Sequence, residues 1–193
     1  MAWNLPNILT WLRILAVPVV PVLFYLPFHW SDPAAGLLFA AASITDSLDG
    51  YFARRMGLTS RLGAFLDPVA DKLIVAVALV LLVSKAPPGR EWHWVIVLTA
   101  CVIIGREIAI SALREWMAEL GQRTRVAVSQ LGKYKTILQM VAIPFLLYHG
   151  TLFGLIDTQL WGTWLIYASA VLTIWSMVYY LQKALPEIRA KAR

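Results

Sequence analysis

Charge is scarce in this sequence: Asp, Glu, Lys and Arg together make up 15% of its 193 residues. An ordinary soluble domain carries about a quarter. Hydrophobic residues reach 60%, the mean hydropathy is +0.68, and the apolar residues fall in long blocks. That combination excludes an ordinary soluble enzyme and indicates an integral membrane protein. Cysteine is nearly absent. Cys101 stands alone within an apolar run, which excludes an internal disulfide and reads as a packing residue. The opening "MAWNLPNILTWLR" lacks a charged region followed by a small-residue cleavage site, so no removable signal peptide is expected. Repeats, low-complexity tracts and any soluble block are missing too, so residues 1–193 read as a single membrane domain. Acidic residues are outnumbered 11 to 17, a net charge of +6. In a membrane protein that excess belongs in cytoplasmic loops beside anionic lipid, and it gives no reason to expect nucleic acid as a partner.

About 20 apolar residues cross the hydrocarbon core as a helix. Six segments qualify, at 7–28, 33–56, 61–84, 92–118, 130–149 and 159–184, so the expected fold is all-α with six transmembrane helices. The breaks carry loop chemistry: "HWSDP" at 29–33, "GLTS" at 57–60, "KAPPGREW" at 85–92 and "YHGTLFG" at 148–154. Pro6 suits a first helical turn, and Pro18 with Pro21 predicts a kink in the first span. Arg54, Arg55 and Arg61 cluster at one turn; Arg114, Arg123, Arg125, Lys133 and Lys135 fall at the next connection on that side. The opposite loops hold only Lys85 and Arg90, so both termini are expected in the cytoplasm. Trp30, Trp92, Trp94, Trp161 and Trp164 then lie at the outer interface, where indoles favour the headgroup level. The basic tail "PEIRAKAR" reads as a solvated end touching anionic lipid.

Against this background, "TDSLDGYFARRMGLTSRLGAFLDPVADK" at 45–72 places four aspartates inside two spans. A carboxylate at mid-bilayer costs about 2.5–3.5 kcal/mol on insertion scales, so each requires a reason. Asp46 and Asp49 are three apart and Asp67 and Asp71 four apart, spacings that put each pair on one helical face. The intervening turn centres near residue 58, and the four sit nine to thirteen residues from it. At a rise of about 1.5 Å per residue they share a depth of about 10–16 Å from the cytoplasmic helix ends. If the two faces meet, four carboxylates converge, and they cannot all ionise unaided. A divalent cation removes the difficulty, and oxygen-only ligands suit Mg²⁺ or Mn²⁺, as one ion or two. Two other readings account for the same residues. Protonated aspartates can hydrogen-bond the hairpin together, and intramembrane carboxylates also mark cation pathways in transporters.

Gly50 and Ala53 follow Asp49 within a turn, and Gly63 precedes Asp67 by one turn. Small residues on these faces let a flat or bulky ligand approach the backbone, and equally allow tight helix packing. Arg54 can pair with a diphosphate or serve as a positive-inside charge. The whole spacing reads D-x2-D-G-x2-A-R-x8-G-x3-D-x3-D.

That spacing resembles the signature of the CDP-alcohol phosphatidyltransferases, matching it at Asp46, Asp49, Gly50, Ala53, Arg54, Gly63, Asp67 and Asp71. The likeness extends through "NLPNILTWLR", "FLDPVADK", "GREIAISALREWMAELG" at 105–121 and "GKYKT" at 132–136. Those segments are similar to bacterial members whose acceptor is sn-glycerol 3-phosphate, and the likeness is weakest in the outer loops and tail. The resemblance implies displacement of CMP from CDP-diacylglycerol by the acceptor's 1-hydroxyl, at a site facing the cytoplasm from a bacterial inner membrane. It implies metal ligation by Asp46, Asp49 and Asp67, with Asp71 serving a second ion and acting as general base. It also implies a cytidine side at Gly50, Ala53 and Gly63 and a diphosphate contact at Arg54. Asn7 and Thr10, which share a broad face of the first helix with Arg13, are expected near the nucleotide, although helix-start capping accounts for them equally. Members are often dimers, which leaves a homodimer open. Inositol phosphate and serine remain alternative acceptors for the same chemistry.

Glycerol 3-phosphate is a small dianion and needs cations beside the metal. Arg106 is the most informative candidate, because it lies inside the fourth span at about the depth of the aspartates; a pair with Glu107 or a counter-charge for the aspartates is its other reading. Arg114 lies nearer the cytoplasmic end, and Lys133, Lys135 and Thr136 open the fifth helix, where cationic and hydroxyl donors can hold a phosphate. Arg123 and Arg125 read as orientation charges, and His29, His93 and His149 fall near the outer interface, away from the aspartates.

Overall fold

The computed structural model describes residues 5–56, 61–85, 93–119 and 130–191. They form six helices: α1 Leu5–Tyr25, α2 Ser31–Met56, α3 Arg61–Lys85, α4 His93–Glu119, α5 Gln130–Tyr148 and α6 Thr158–Lys191. The limits follow the expected spans closely, except that α6 continues through the basic tail to Lys191. Arg123 and Arg125 lie outside the described residues. The "YHGTLFG" connection between α5 and α6, expected as a plain loop, instead contains a small hairpin. Strand β1, Thr151–Leu152, pairs antiparallel with β2, Ile156–Asp157.

Local chemistry sets the ends. Asp157 Oδ1 caps α6 by accepting from the backbone N–H groups of Gln159 and Leu160 at 2.9 and 3.1 Å. Thr158 bonds Gly150 in both directions, its hydroxyl donating to the carbonyl at 2.7 Å and accepting from the N–H at 3.0 Å. Ser31 opens α2, and its hydroxyl donates to the Leu26 carbonyl at 2.8 Å. The chain remains one helix across Pro18 and Pro21 in α1, as neighbouring helices in a bundle allow.

The helices form a ring in the order α1, α2, α5, α6, α4, α3, closed by α3 against α1, and α3 also touches α5 across the middle. Small and aliphatic residues fill the centre, among them Ala16, Val20, Ala35, Phe39, Ala78 and Ile143. At the end of the bundle where α3 finishes and α2 begins, Lys85 of α3 forms an ion pair with Asp32 of α2 and lies over the Phe24 ring, while the Tyr25 hydroxyl meets Ser84 Oγ at 2.7 Å. The charge read from sequence as an outer-loop cation is therefore paired at the surface of the bundle.

Large apolar side chains cover the surface, and several polar and charged ones are enclosed beside the apolar core. Leu15, Ile108, Val171 and Trp175 are exposed, whereas Arg13, Arg106, Lys135, Gln139, Ser169 and Ser176 are buried. That inversion belongs to a protein whose solvent is lipid. Among the described residues, Ile8–Tyr25, Trp94–Glu119 and Thr158–Lys183 are long and apolar enough to cross a membrane. Helices α2 and α3, with 26 and 25 residues, have comparable length, but each carries five charged residues: Asp32, Asp46, Asp49, Arg54 and Arg55 on α2, and Arg61, Asp67, Asp71, Lys72 and Lys85 on α3.

Two glycines set close helix approaches, with different consequences. A Cβ on Gly36 would sit 2.8 Å from the Pro144 carbonyl oxygen and 2.9 Å from the Tyr148 nitrogen, both backbone atoms of α5. A Cβ on Gly162 would sit 2.8 Å from Leu146 Cγ, part of a side chain that can change rotamer. Gly36→Ala is therefore expected to cost about 1–3 kcal/mol through overpacking and Gly162→Ala less. Melting temperatures in detergent check the order; a larger drop for Gly162→Ala would contradict it.

Candidate active site

The charged residues inside the bundle meet at the end where α4 finishes and α5 begins. One turn of α3 supplies Asp71 and Lys72. Arg106, Glu107, Ser111 and Arg114 follow one another at helical spacing along α4, and Gly132, Lys135 and Thr136 share a face of α5. Together they line a cavity of about 450 Å³. Its described charged groups are the carboxylates of Asp71, Glu107 and Glu115 and the cations Lys72, Arg106, Arg114 and Lys135.

Glu107 joins two of these cations. Its Oε1 accepts from Arg106 Nη1 at 3.2 Å and forms an ion pair with Lys135 Nζ. Arg106 and Lys135 are 5% and 2% exposed, and charges so enclosed persist only when paired. Helix α6 supplies the remaining support. Arg106 Nη2 donates to Ser176 Oγ at 3.3 Å, and Ser169 Oγ donates to the Lys135 carbonyl at 3.1 Å. Arg114 Nη2 donates to the Tyr180 hydroxyl at 3.2 Å. The Arg106 and Arg114 guanidinium carbons stand 5.7 and 5.2 Å from the Tyr180 ring centroid, within cation–π range. The Nε atoms of Arg106 and Arg114 are buried with no hydrogen-bond partner among the described residues, which leaves donor capacity in a wall already rich in cations.

The residues singled out from sequence divide into four groups. Asp71, Arg106, Arg114, Lys135 and Thr136 all line the cavity. Lys133 does not; it is exposed, although only two residues from Lys135. Thr10 and Arg13 are buried on α1. Asn7 and Gly63 lie on α1 and α3, Asp46, Asp49, Gly50, Ala53 and Arg54 on α2, and Asp67 on α3, but their side-chain positions lie outside the described ones. The sequence reading weighed Glu107 only as a counter-charge to Arg106, and it passed over Lys72, Ser111, Ser176 and Tyr180. The signal for Glu107 was present: an ionisable residue within a membrane span is a functional candidate by default.

A second, apolar groove of about 520 Å³ runs between α2 and α5 along Leu37, Ala40, Ile44, Ile137 and Val141. Thr136 lines both this groove and the charged cavity, so the two adjoin.

The profile of the CDP-alcohol phosphatidyltransferase family matches residues 3–175. The chain is 48% identical over 185 residues to the CDP-diacylglycerol--glycerol-3-phosphate 3-phosphatidyltransferase of Escherichia coli (strain K12), covering 95% of this chain and 96% of that one. The protein of the same name from Salmonella choleraesuis (strain SC-B67) matches with the same identity and coverage. With the family profile spanning most of its length, the chain belongs to the CDP-alcohol phosphatidyltransferase family.

Proposed function

We propose that this protein transfers the phosphatidyl group of CDP-diacylglycerol to sn-glycerol 3-phosphate, releasing CMP and forming phosphatidylglycerophosphate. The observation that carries the reading is the cavity in which Asp71 stands beside Arg106, Arg114 and Lys135. A carboxylate that can take a proton there adjoins cations that can hold a phosphate dianion. The near full-length likeness to relatives named for this reaction supports the choice of donor and acceptor.

Asp71, the one of the four aspartates whose side chain is described, offers the cavity carboxylate oxygen, the donor type a hard divalent cation takes, and among the described lining residues there is no sulfur or imidazole. Asp46, Asp49, Asp67 and Asp71 would hold Mg²⁺ or Mn²⁺, as one ion or two. When bound, the ion neutralises the diphosphate and favours in-line displacement. Arg106, Arg114 and Lys135 bind the acceptor phosphate with Thr136 beside them, and so bring the 1-hydroxyl toward Asp71. Asp71 accepts the hydroxyl proton as the acceptor oxygen bonds to the phosphatidyl phosphorus and the bond from that phosphorus to CMP breaks. Asn7, Thr10, Gly50, Ala53, Arg54 and Gly63 serve the cytidine diphosphate. The apolar groove between α2 and α5, adjoining the cavity at Thr136, accommodates donor hydrocarbon.

The six helices all span the bacterial inner membrane as a single domain, both termini are cytoplasmic, and the cavity opens to the cytoplasmic leaflet. The clustering of Lys and Arg at that end supports this orientation; two copies can assemble as a homodimer.

The test is CMP release by purified protein in detergent, with CDP-diacylglycerol, Mg²⁺ or Mn²⁺, and separate tubes of glycerol 3-phosphate, inositol phosphate or serine. CMP is expected only with glycerol 3-phosphate, and a chelator should abolish it. Release with a different acceptor would keep the chemistry and change the substrate. Release that survives the chelator would remove the metal, and no release in any tube would overturn the function.

A further inference from the structure

Glu107 poses an electrostatic problem. A carboxylate in the wall of a cavity that receives a phosphate repels the ligand, yet Glu107 pairs with two of the cations assigned to bind it. Simple Coulomb reasoning makes the residue a liability, whose removal would tighten acceptor binding. Geometry favours the opposite. Lysine carries its charge on a flexible four-carbon stem with no fixed direction of its own. The charged end of Lys135 is held by Glu107, and its backbone carbonyl is tied to Ser169 of α6. Arg106 is held at one nitrogen by Glu107 and at another by Ser176. A single carboxylate oxygen thus fixes the charged ends of two side chains that come from different helices. Without it, two enclosed cations repel one another, and the spacing between α4 and α5 no longer fixes where their donors point.

We propose that Glu107 is a positioning residue for the acceptor's phosphomonoester. It holds Arg106 and Lys135 side by side, so that the dianion meets donors already in place rather than ordering them on arrival. One carboxylate among the three cations Arg106, Arg114 and Lys135 leaves two net positive charges on the groups assigned to the phosphate, which the dianion balances. This inference rests on the reading of the cavity as the acceptor-phosphate site.

Glu107→Gln keeps the shape and removes the charge. With the wild type first shown to release CMP from glycerol 3-phosphate, this variant should raise the KM for that acceptor about tenfold or more, while the KM for CDP-diacylglycerol stays within about twofold. The inhibition constant for inorganic phosphate, competing with the acceptor, should rise in parallel, and Glu107→Asp should recover part of the loss. In a Lys135→Met background, adding Glu107→Gln should raise the acceptor KM by less than it does in the wild type, because one of the two cations that Glu107 holds is already gone. An unchanged or lowered acceptor KM, an equal rise for both substrates, or full additivity with Lys135→Met would each overturn the proposal. Should Glu107→Gln alone fail to fold, the double variant, which removes both partners of one pair, decides by the same comparison with Lys135→Met. Stabilisation by inorganic phosphate, read as a rise in melting temperature, needs no turnover. It should be present in the wild type and lost in Glu107→Gln or in the double variant, and equal stabilisation in all would refute the positioning role even in a protein that released no CMP.

Discussion

Replacing Asp71 by Asn should reduce turnover by about 10²–10⁴-fold, the range for loss of a positioned general base, with CDP-diacylglycerol still bound. Asn has nearly the shape of Asp but cannot take a proton from the acceptor hydroxyl, and it is a weaker ligand for a hard cation. Asp71 is partly buried beside Lys72 on α3, and it faces the same cavity as Arg106 and Lys135. An aspartate of ordinary basicity removes an alcohol proton poorly, so transfer must accompany formation of the new bond to phosphorus. The decisive pair of measurements is the rate of CMP release and the equilibrium binding of CDP-diacylglycerol. Loss of rate with binding retained fits the assigned role. Near-normal turnover would remove Asp71 as the base, and loss of both would make it a donor-site ligand instead.

Arg106→Ala and Lys135→Ala should each raise the KM for glycerol 3-phosphate by about 10- to 100-fold, since a hydrogen bond to a charged group contributes about 1.5–3 kcal/mol. The KM for CDP-diacylglycerol should change little. Stability should fall as well, but by less than the about 3–5 kcal/mol typical of breaking a buried pair, because Glu107 keeps the other cation in each variant. Lys133→Ala is the control. Lys133 precedes Lys135 by two residues and carries the same charge, yet it is exposed and does not line the cavity, so its removal should leave the acceptor KM unchanged. Equal effects from Lys133 and Lys135 would mean that the lysines act through general positive charge near the membrane rather than through a built site. Equal effects on both substrates would mean a structural role.

Much of this molecule was legible beforehand. Long apolar blocks separated by Pro, Gly and charged turns located all six helices to within a few residues, apart from the extension of α6 to Lys191. The reason is that lipid leaves the backbone no partner but itself, so hydropathy and helix length report the same constraint. The spacing of the aspartates and small residues pointed to the family in the same way, because it fixes which groups share a helical face. The hairpin between α5 and α6 was missed. Its strands, Thr151–Leu152 and Ile156–Asp157, have two residues each, too few for the alternation that marks a strand in sequence, and its turn takes positive φ at Phe153 as well as at Gly154.

The sequence by itself determined the class, the helix limits and the acidic motif, all of which are local or periodic properties. Only the tertiary structure decided how Arg106, Glu107 and Lys135 relate. They lie on α4 and α5, which the ring order brings around one cavity with α3, although 28 residues separate Glu107 from Lys135. Nor did the sequence choose between Lys133 and Lys135. Two residues along a helix turn the side chain by about 200°, so only one of the two can face inward. Helix α5 is apolar around most of its circumference, with Ile137 and Val141 exposed and Ile143 and Leu147 buried, so its pattern does not mark the inner face. Contact with α6, through Ser169 on the Lys135 carbonyl, and with α4, through Glu107, sets that rotation and makes one lysine part of the site and the other part of the surface.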